Sequence, residues 1–146
     1  MSSTGLGVDM NLEVVTLPVG DVDRAKAFYQ SLGWRLDIDL VVGDAVRTVQ
    51  FTPPHSGCSI QFGKGRTTAE PGSAQAMILV VKDIDAARGD LIDRGVDVSE
   101  VQEMKPPGFD APGRSYFARA SFSDPDGNSW ELQEITTRLP GREWED

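Results

Sequence analysis

The chain has 146 residues, of which 39% are hydrophobic and 25% charged, and its net charge is −9. This length and composition indicate one folded domain and exclude long-range disorder and a coiled coil. The negative charge opposes binding to phosphate backbones, so we expect no nucleic-acid partner and favour a small-molecule ligand. No apolar run approaches the roughly 18 residues of a membrane span, so we expect no membrane partner. The single cysteine favours a cytoplasmic location.

A sequence repeat divides the chain into two halves. The segment Asp21-Val22-Asp23 recurs as Asp83-Ile84-Asp85, and Gly33 recurs as Gly95 at the same distance from its aspartate. An apolar, β-branched stretch precedes each aspartate, which is a favourable helix N-cap. Each glycine follows an amphipathic stretch, where a left-handed residue ends a helix. Each half therefore begins with a strand followed by a helix.

Three further strand-like stretches follow the helix in each half. The strands are predicted over 12–19, 34–42, 45–52 and 58–62, and then over 76–81, 96–103, 115–123 and 128–135. This order predicts an α+β fold of two βαβββ modules, whereas a ferredoxin-like sandwich has only βαβ in each half. We expect a flexible N-terminus at 1–10, a first module at 11–63, a linker at 64–74, a second module at 75–135 and a tail at 136–146.

Two segments resemble a known family. The first runs from Leu17 to Tyr29 and continues as Leu32-Gly33-Trp34, and the second is Asp124-Pro-Asp-Gly-Asn-Ser-Trp-Glu-Leu132. Through them the chain resembles the vicinal oxygen chelate superfamily, which includes glyoxalases, bleomycin-resistance proteins, extradiol dioxygenases and methylmalonyl-CoA epimerase. The resemblance implies that the modules form a curved mixed sheet around a ligand cleft. It also implies a divalent metal at the floor of the cleft in the enzymatic members.

The resemblance implies four metal-ligand positions, and most of them have lost their donor atoms. The positions fall at Val14, Gln61, Ala76 and Glu131. Only Glu131 keeps a common ligand type; Gln61 offers an amide oxygen, and Val14 and Ala76 offer no donor. A divalent ion needs three or four protein donors, so we expect no catalytic metal and no other cofactor. A divalent metal held by a reduced ligand set is the alternative.

Six residues are candidates for contact with a ligand: Glu131, Gln61, Thr16, Arg47, Tyr116 and Arg119. Strand position places Glu131 and Gln61 on the cleft, and Thr16 shares the face of Val14 because strand side chains alternate. The other three lie on predicted strands, where each either faces the cleft or pairs with a neighbouring strand. Glu131 is the best candidate for a catalytic base. The loop at 106–113, rich in proline and glycine, is a candidate lid.

These observations favour a binding protein of the glyoxalase and bleomycin-resistance type. The resemblance implies that such members sequester a drug, as in antibiotic resistance, and usually act as homodimers. The alternative is a metal-dependent lyase, epimerase or dioxygenase-type enzyme of the same superfamily. A third interpretation is a dimerisation or regulatory module with a vestigial cleft.

Overall fold

The computed structural model describes residues 7–108 and 113–144, and the two predicted modules are present in it. The first module consists of β1 (Val14–Thr16), α1 (Val22–Ser31), β2 (Arg35–Val42), β3 (Val46–Thr52) and β4 (Ser59–Lys64). The second consists of β5 (Met77–Val81), α2 (Ile84–Asp93), β6 (Gln102–Glu103), β7 (Ala118–Ser123) and β8 (Ser129–Glu134). The order βαβββ in each half confirms the predicted α+β fold.

Both helices begin and end as the repeat predicts. The side chains of Asp21 and Asp83 each accept a hydrogen bond from a backbone N–H in the first turn, at 3.0 Å in both cases. Gly33 and Gly95 follow the helices with φ angles of 82° and 88°. Because a side chain is strained in this left-handed region, glycine suits both positions.

The described strands form two four-stranded sheets, one in each module. Sheet 1 has the order β1-β4-β3-β2, and sheet 2 has the order β5-β8-β7-β6. In each sheet the first pair is parallel and the other two pairs are antiparallel, so both sheets are mixed. The sheets remain separate because the modules meet through core side chains and not through paired strand edges.

One aromatic core joins the two modules. Tyr29 of α1 lies 6.1 Å from Phe51 and 5.7 Å from Phe62 of sheet 1, and 6.3 Å from Trp130 of sheet 2, between ring centroids. All four side chains are buried. We call the side of each sheet that faces this core its inner face. The opposite side, turned away from the core, is its open face.

A buried hydrogen-bond network reinforces this junction. The hydroxyl of Tyr29 donates to Asp124 at 2.9 Å and accepts from the indole N–H of Trp130 at 3.1 Å. The side-chain amide of Asn128 also donates to Asp124, at 2.8 Å. Burial and the nearby Asp124 carboxylate raise the pKa of Tyr29 above its ordinary value, so the hydroxyl stays protonated. The Asp-Pro-Asp-Gly-Asn motif therefore has a structural role between the modules.

The strand predicted over 12–19 is reduced to β1 (Val14–Thr16), and two predicted strands of the second module are shorter for local reasons. The strand predicted over 96–103 is reduced to β6, because the Ser99 hydroxyl takes the place of a backbone acceptor for the N–H of Ser121, at 2.9 Å. The strand predicted over 115–123 begins only at Ala118, because Tyr116 has a left-handed φ of 75°.

The segment after β8 is hydrogen-bonded to the second module. The backbone N–H groups of Thr136 and Thr137 both donate to the Ser115 hydroxyl at 2.9 Å, and that of Leu139 donates to the Tyr116 hydroxyl at 3.0 Å. Within the predicted lid, residues 109–112 lie outside the described part of the chain. Neither helix that the structure describes is long and apolar enough to cross a bilayer.

Candidate functional site

The polar side chains at one end of the open face of sheet 1 are hydrogen-bonded to one another. The Thr52 hydroxyl donates to Asp37 and lies 2.6 Å from the Ser59 hydroxyl, and the Gln50 amide donates to Asp37 at 3.3 Å. A register shift next to Asp37 marks a bulge, which turns this carboxylate toward the same face. Partial burial acts to raise the pKa of Asp37, but hydrogen bonds from Thr52, Arg35 and Gln50 outweigh it and hold this pKa below its ordinary value. These polar side chains therefore already have hydrogen-bond partners within the chain.

Two of the candidate ligand contacts, Thr16 and Gln61, lie together on the same open face. They are direct neighbours on β1 and β4, and the Gln61 amide donates to the Thr16 hydroxyl at 2.8 Å. Val14 lies opposite Ser59 rather than opposite Gln61. The two polar residues are therefore also engaged with each other.

Arg47 does not lie on the open face, so its expected place in the cleft is corrected. It lies four residues before the core residue Phe51 on β3, and because strand side chains alternate, the two point to the same inner face. Its guanidinium donates to Asp39 of β2 at 3.0 Å and to Asp23 of α1 at 2.8 Å. Hydrogen bonds from Arg47 and Lys26 hold the pKa of Asp39 well below its ordinary value. Arg47 thus fixes α1 to sheet 1.

The open face of sheet 2 carries four polar residues in cross-strand pairs. Arg119 lies opposite Gln133, and Ser121 lies opposite Glu131. The four side chains share one face because they alternate with the buried residues of β7 and β8. We call them the polar quartet. They line a cavity of about 550 Å³, together with Ser99, Gln102, Met104, Pro106, Tyr116, Phe117 and Ala120.

The atoms of the polar quartet are largely uncommitted. Arg119 Nη1 lies 3.6 Å from Glu131 Oε2, which is too long for a hydrogen bond. Within residues 7–108 and 113–144, neither the Glu131 carboxylate nor the Ser121 hydroxyl has a hydrogen-bond partner. The Gln133 amide donates to the carbonyl of Tyr116 at 2.7 Å, while its own carbonyl has no donor in the same part of the chain.

Tyr116 has an unusual backbone conformation at the edge of this cavity. A φ of 75° is a strained value for a bulky side chain, and such strain clusters at functional sites. Hydrogen bonds maintain it, because the backbone N–H of Tyr116 donates to the carbonyl of Glu134 at 2.8 Å and its own carbonyl accepts from Gln133. The structure therefore brings three of the predicted residues together here: Glu131, Arg119 and Tyr116.

The residues at the four metal-ligand positions do not fit a divalent ion. Gln61 and Glu131 lie on different sheets, and Val14 and Ala76 have no donor atoms in their side chains. The one carboxylate has the Arg119 guanidinium beside it, which repels a second cation. Among the residues that the structure describes, no three His, Cys, Asp or Glu side chains are grouped closely enough to hold a metal.

Sequence reasoning missed Ser121, Gln133 and Asp37. The first two follow from alternation, since each lies two residues from a predicted contact on the same strand. Asp37 carries no such signal, because its side-chain direction depends on the bulge in β2.

The described chain combines two βαβββ modules with a cavity on the open face of the second sheet, which defines a paired-module α+β fold. Residues 11–132 match the family described as the Glyoxalase/Bleomycin resistance protein/Dioxygenase superfamily, and the chain belongs to this family. A search of curated proteins found no match.

Several solved structures have the same fold. TnmS3, an antibiotic binding protein from Streptomyces sp. CB03234, is 29% identical over 89% of this chain and 99% of its own, with a TM-score of 0.70. A glyoxalase/bleomycin resistance protein from the same organism is 31% identical over 84% of this chain and 99% of its own, with a TM-score of 0.65. A superfamily member from Sphaerobacter thermophilus DSM 20745 is 28% identical over 86% and 98%, also with a TM-score of 0.65.

Proposed function

We propose that the chain binds a small organic molecule in the cavity of sheet 2. The observation that carries this proposal is the polar quartet, most of whose donors and acceptors are uncommitted beside an apolar wall of Met104, Pro106 and Phe117. The corresponding polar groups of sheet 1 bond one another instead. A volume of about 550 Å³ lies within the usual range for small-molecule sites. The similarity to an antibiotic binding protein supports an antibiotic-like ligand.

The proposed binding needs no catalytic metal. The argument is the donor set: two aliphatic side chains, an amide that is already bonded to Thr16, and one carboxylate next to a guanidinium. Such a set of donors is too small to replace the water ligands that a divalent ion loses when it binds. The alternative of a metal-dependent lyase, epimerase or dioxygenase-type enzyme requires a bound ion. Metal analysis of protein purified without chelator distinguishes the two, since stoichiometric metal would favour the enzyme.

A thermal-shift screen of antibiotics and natural products tests the binding proposal, with calorimetry on each hit. Ser121→Trp adds a large ring to the cavity from an exposed position and should abolish binding. Glu70→Trp adds the same ring in the exposed linker and should leave binding unchanged. A screen without hits would reject the proposal. Hits that bind the Ser121 variant equally well would reject this cavity as their site.

We further propose that the chain forms a homodimer through its open faces. Ile38, Leu40 and Val42 are 41%, 55% and 58% exposed on sheet 1, and Ile78 and Val80 are 49% and 40% exposed on sheet 2. Contiguous exposed apolar side chains on a sheet face typically mark an interface. Light scattering during size exclusion should give twice the chain mass of 15.9 kDa, and Leu40→Asp should shift the protein toward monomer.

We also propose a cytoplasmic location, which is consistent with the unpaired thiol of Cys58. The net charge of −9 supports the absence of a nucleic-acid partner. Fractionation of cells that produce the protein tests the location.

A further inference from the structure

We infer that the ligand is uncharged where it meets the polar quartet and presents a hydrogen-bond acceptor next to a hydrogen-bond donor. Amides, lactams and hydroxyl groups beside a carbonyl have this arrangement. The inference rests on the proposed binding function and names the chemical class that the cavity selects. It is carried by Arg119 and Glu131, which face one cavity without a hydrogen bond between them.

Arg119 requires an acceptor from the ligand. Its guanidinium has five N–H donors and no acceptor. In the described chain, its only hydrogen bond runs from Nε to the carbonyl of Tyr116, at the long distance of 3.4 Å. The side chain is 45% exposed, so water satisfies the remaining donors until a ligand displaces it. A ligand without an acceptor here would leave these donors unsatisfied.

Glu131 requires a donor by the same reasoning. An ionised carboxylate only accepts hydrogen bonds, and none reaches this one from the described residues. Its side chain is 27% exposed and is therefore more enclosed than Arg119. A ligand that covers the carboxylate without donating to it would bury a charge that no hydrogen bond satisfies, which is more costly than a buried neutral group without a hydrogen bond.

The closeness of the two charges favours an uncharged ligand. Arg119 Nη1 and Glu131 Oε2 are only 3.6 Å apart. An anion that the guanidinium attracts is therefore repelled by the carboxylate, and a cation that the carboxylate attracts is repelled by the guanidinium. Because the attraction and the repulsion largely cancel, a charged ligand gains little electrostatic energy here, and it also loses the water that hydrates its charge. A neutral group with an acceptor and a donor side by side satisfies both residues. The neighbours Ser121 and Gln133 are neutral and add one hydroxyl and one free carbonyl.

The test compares three probes that share one aromatic ring system. They are 3-hydroxy-2-naphthamide, which is neutral with adjacent donor and acceptor, 2-naphthoate and 2-naphthylmethylammonium. The hits from the screen of antibiotics and natural products are sorted into the same three classes. Dissociation constants are measured by calorimetry or ligand-observed NMR. The neutral class should bind at least about tenfold more tightly than either charged class.

Two variants then show whether the polar quartet causes this preference. Arg119→Met and Glu131→Met should each weaken binding of the neutral probe by about tenfold or more, because each leaves one ligand group unpaired. The matched variants Arg66→Met and Glu70→Met, in the exposed segment after β4, should leave it unchanged.

Each other outcome overturns a specific statement. Tighter binding of a charged class to the parent chain, or a gain in affinity for the neutral probe when Arg119 or Glu131 is replaced, would overturn the inference but not the proposed function. The inference would also be overturned if neutral compounds bound with the same affinity after either replacement. Failure of all probes and all screened compounds to bind would overturn the proposed function and the inference together.

Discussion

Removing one hydroxyl from the aromatic core should destabilise the whole chain, since Tyr29→Phe breaks the network between the two modules. The Tyr29 hydroxyl donates to the buried carboxylate of Asp124 at 2.9 Å and accepts from the indole N–H of Trp130 at 3.1 Å. A hydrogen bond to a charged group contributes about 1.5–3 kcal/mol, and a buried donor left without an acceptor costs about 1–3 kcal/mol. We therefore expect a loss of about 3–5 kcal/mol.

This loss is large relative to the stability of about 5–15 kcal/mol that is typical of a domain. For a chain of this length, each kcal/mol changes the melting temperature by about 2–4 °C, so the variant should melt about 6–20 °C below the parent. Urea unfolding followed by tryptophan fluorescence measures the free energy directly. Tyr116→Phe is the matched control, because its hydroxyl accepts from the half-buried backbone N–H of Leu139 at 3.0 Å instead.

The same substitution predicts a change in alkaline stability. The folded chain raises the pKa of Tyr29 above the ordinary value of 10.0, so above about pH 10 the unfolded chain loses this proton while the folded chain keeps it, and the stability that the network contributes declines. The free-energy difference between the parent and Tyr29→Phe should therefore shrink above about pH 10. A loss below about 1 kcal/mol, equal to that of the Tyr116 control, would refute this view of how the modules are joined.

Further predictions concern the packing of sheet 1 and the helix ends. Asp39→Asn should cost about 1–2 kcal/mol at pH 7, since it breaks the charged hydrogen bonds from Arg47. The folded pKa of Asp39 lies below its ordinary 3.8, so in urea titrations this difference should disappear as the pH falls below about 4. Gly63→Ala places a Cβ 1.7 Å from the carbonyl oxygen of Arg47 and should cost about 3 kcal/mol or more in calorimetry. Gly33→Ala meets only the movable Arg94 side chain, 2.9 Å away, and should cost about 1–2 kcal/mol from its left-handed φ; equal losses for both glycines would contradict this reasoning.

The sequence predicts those parts of the fold that depend on neighbouring residues. Asp21 and Asp83 are recognisable as caps because the hydrogen bond that each accepts lies within its own first turn. The two glycines at the helix ends are recognisable for the same local reason. The division into two sheets was not predictable, because it depends on how distant aromatic residues pack.

The candidate site was predictable only in part. Glu131 and Arg119 follow from strand position and alternation, and the structure brings them into one cavity. Arg47 was left as either a cleft residue or a cross-strand partner, and its even spacing from Phe51 indicates the inner face that it occupies. The place of Tyr116 was not predictable in detail, since its left-handed backbone is held by contacts to a later strand.

The two open faces differ in a way that guides the redesign of ligand specificity: the polar residues on sheet 1 stabilise the fold, and those on sheet 2 face the cavity. Around Asp37 on sheet 1, a replacement removes a bond that another part of the chain needs, so variation there reduces stability. At Ser121 and Gln133 on sheet 2, a replacement changes what the cavity offers to a visiting molecule and leaves most of the chain's own contacts intact. A library for new specificities should therefore randomise the second half alone and keep the first half fixed as scaffold.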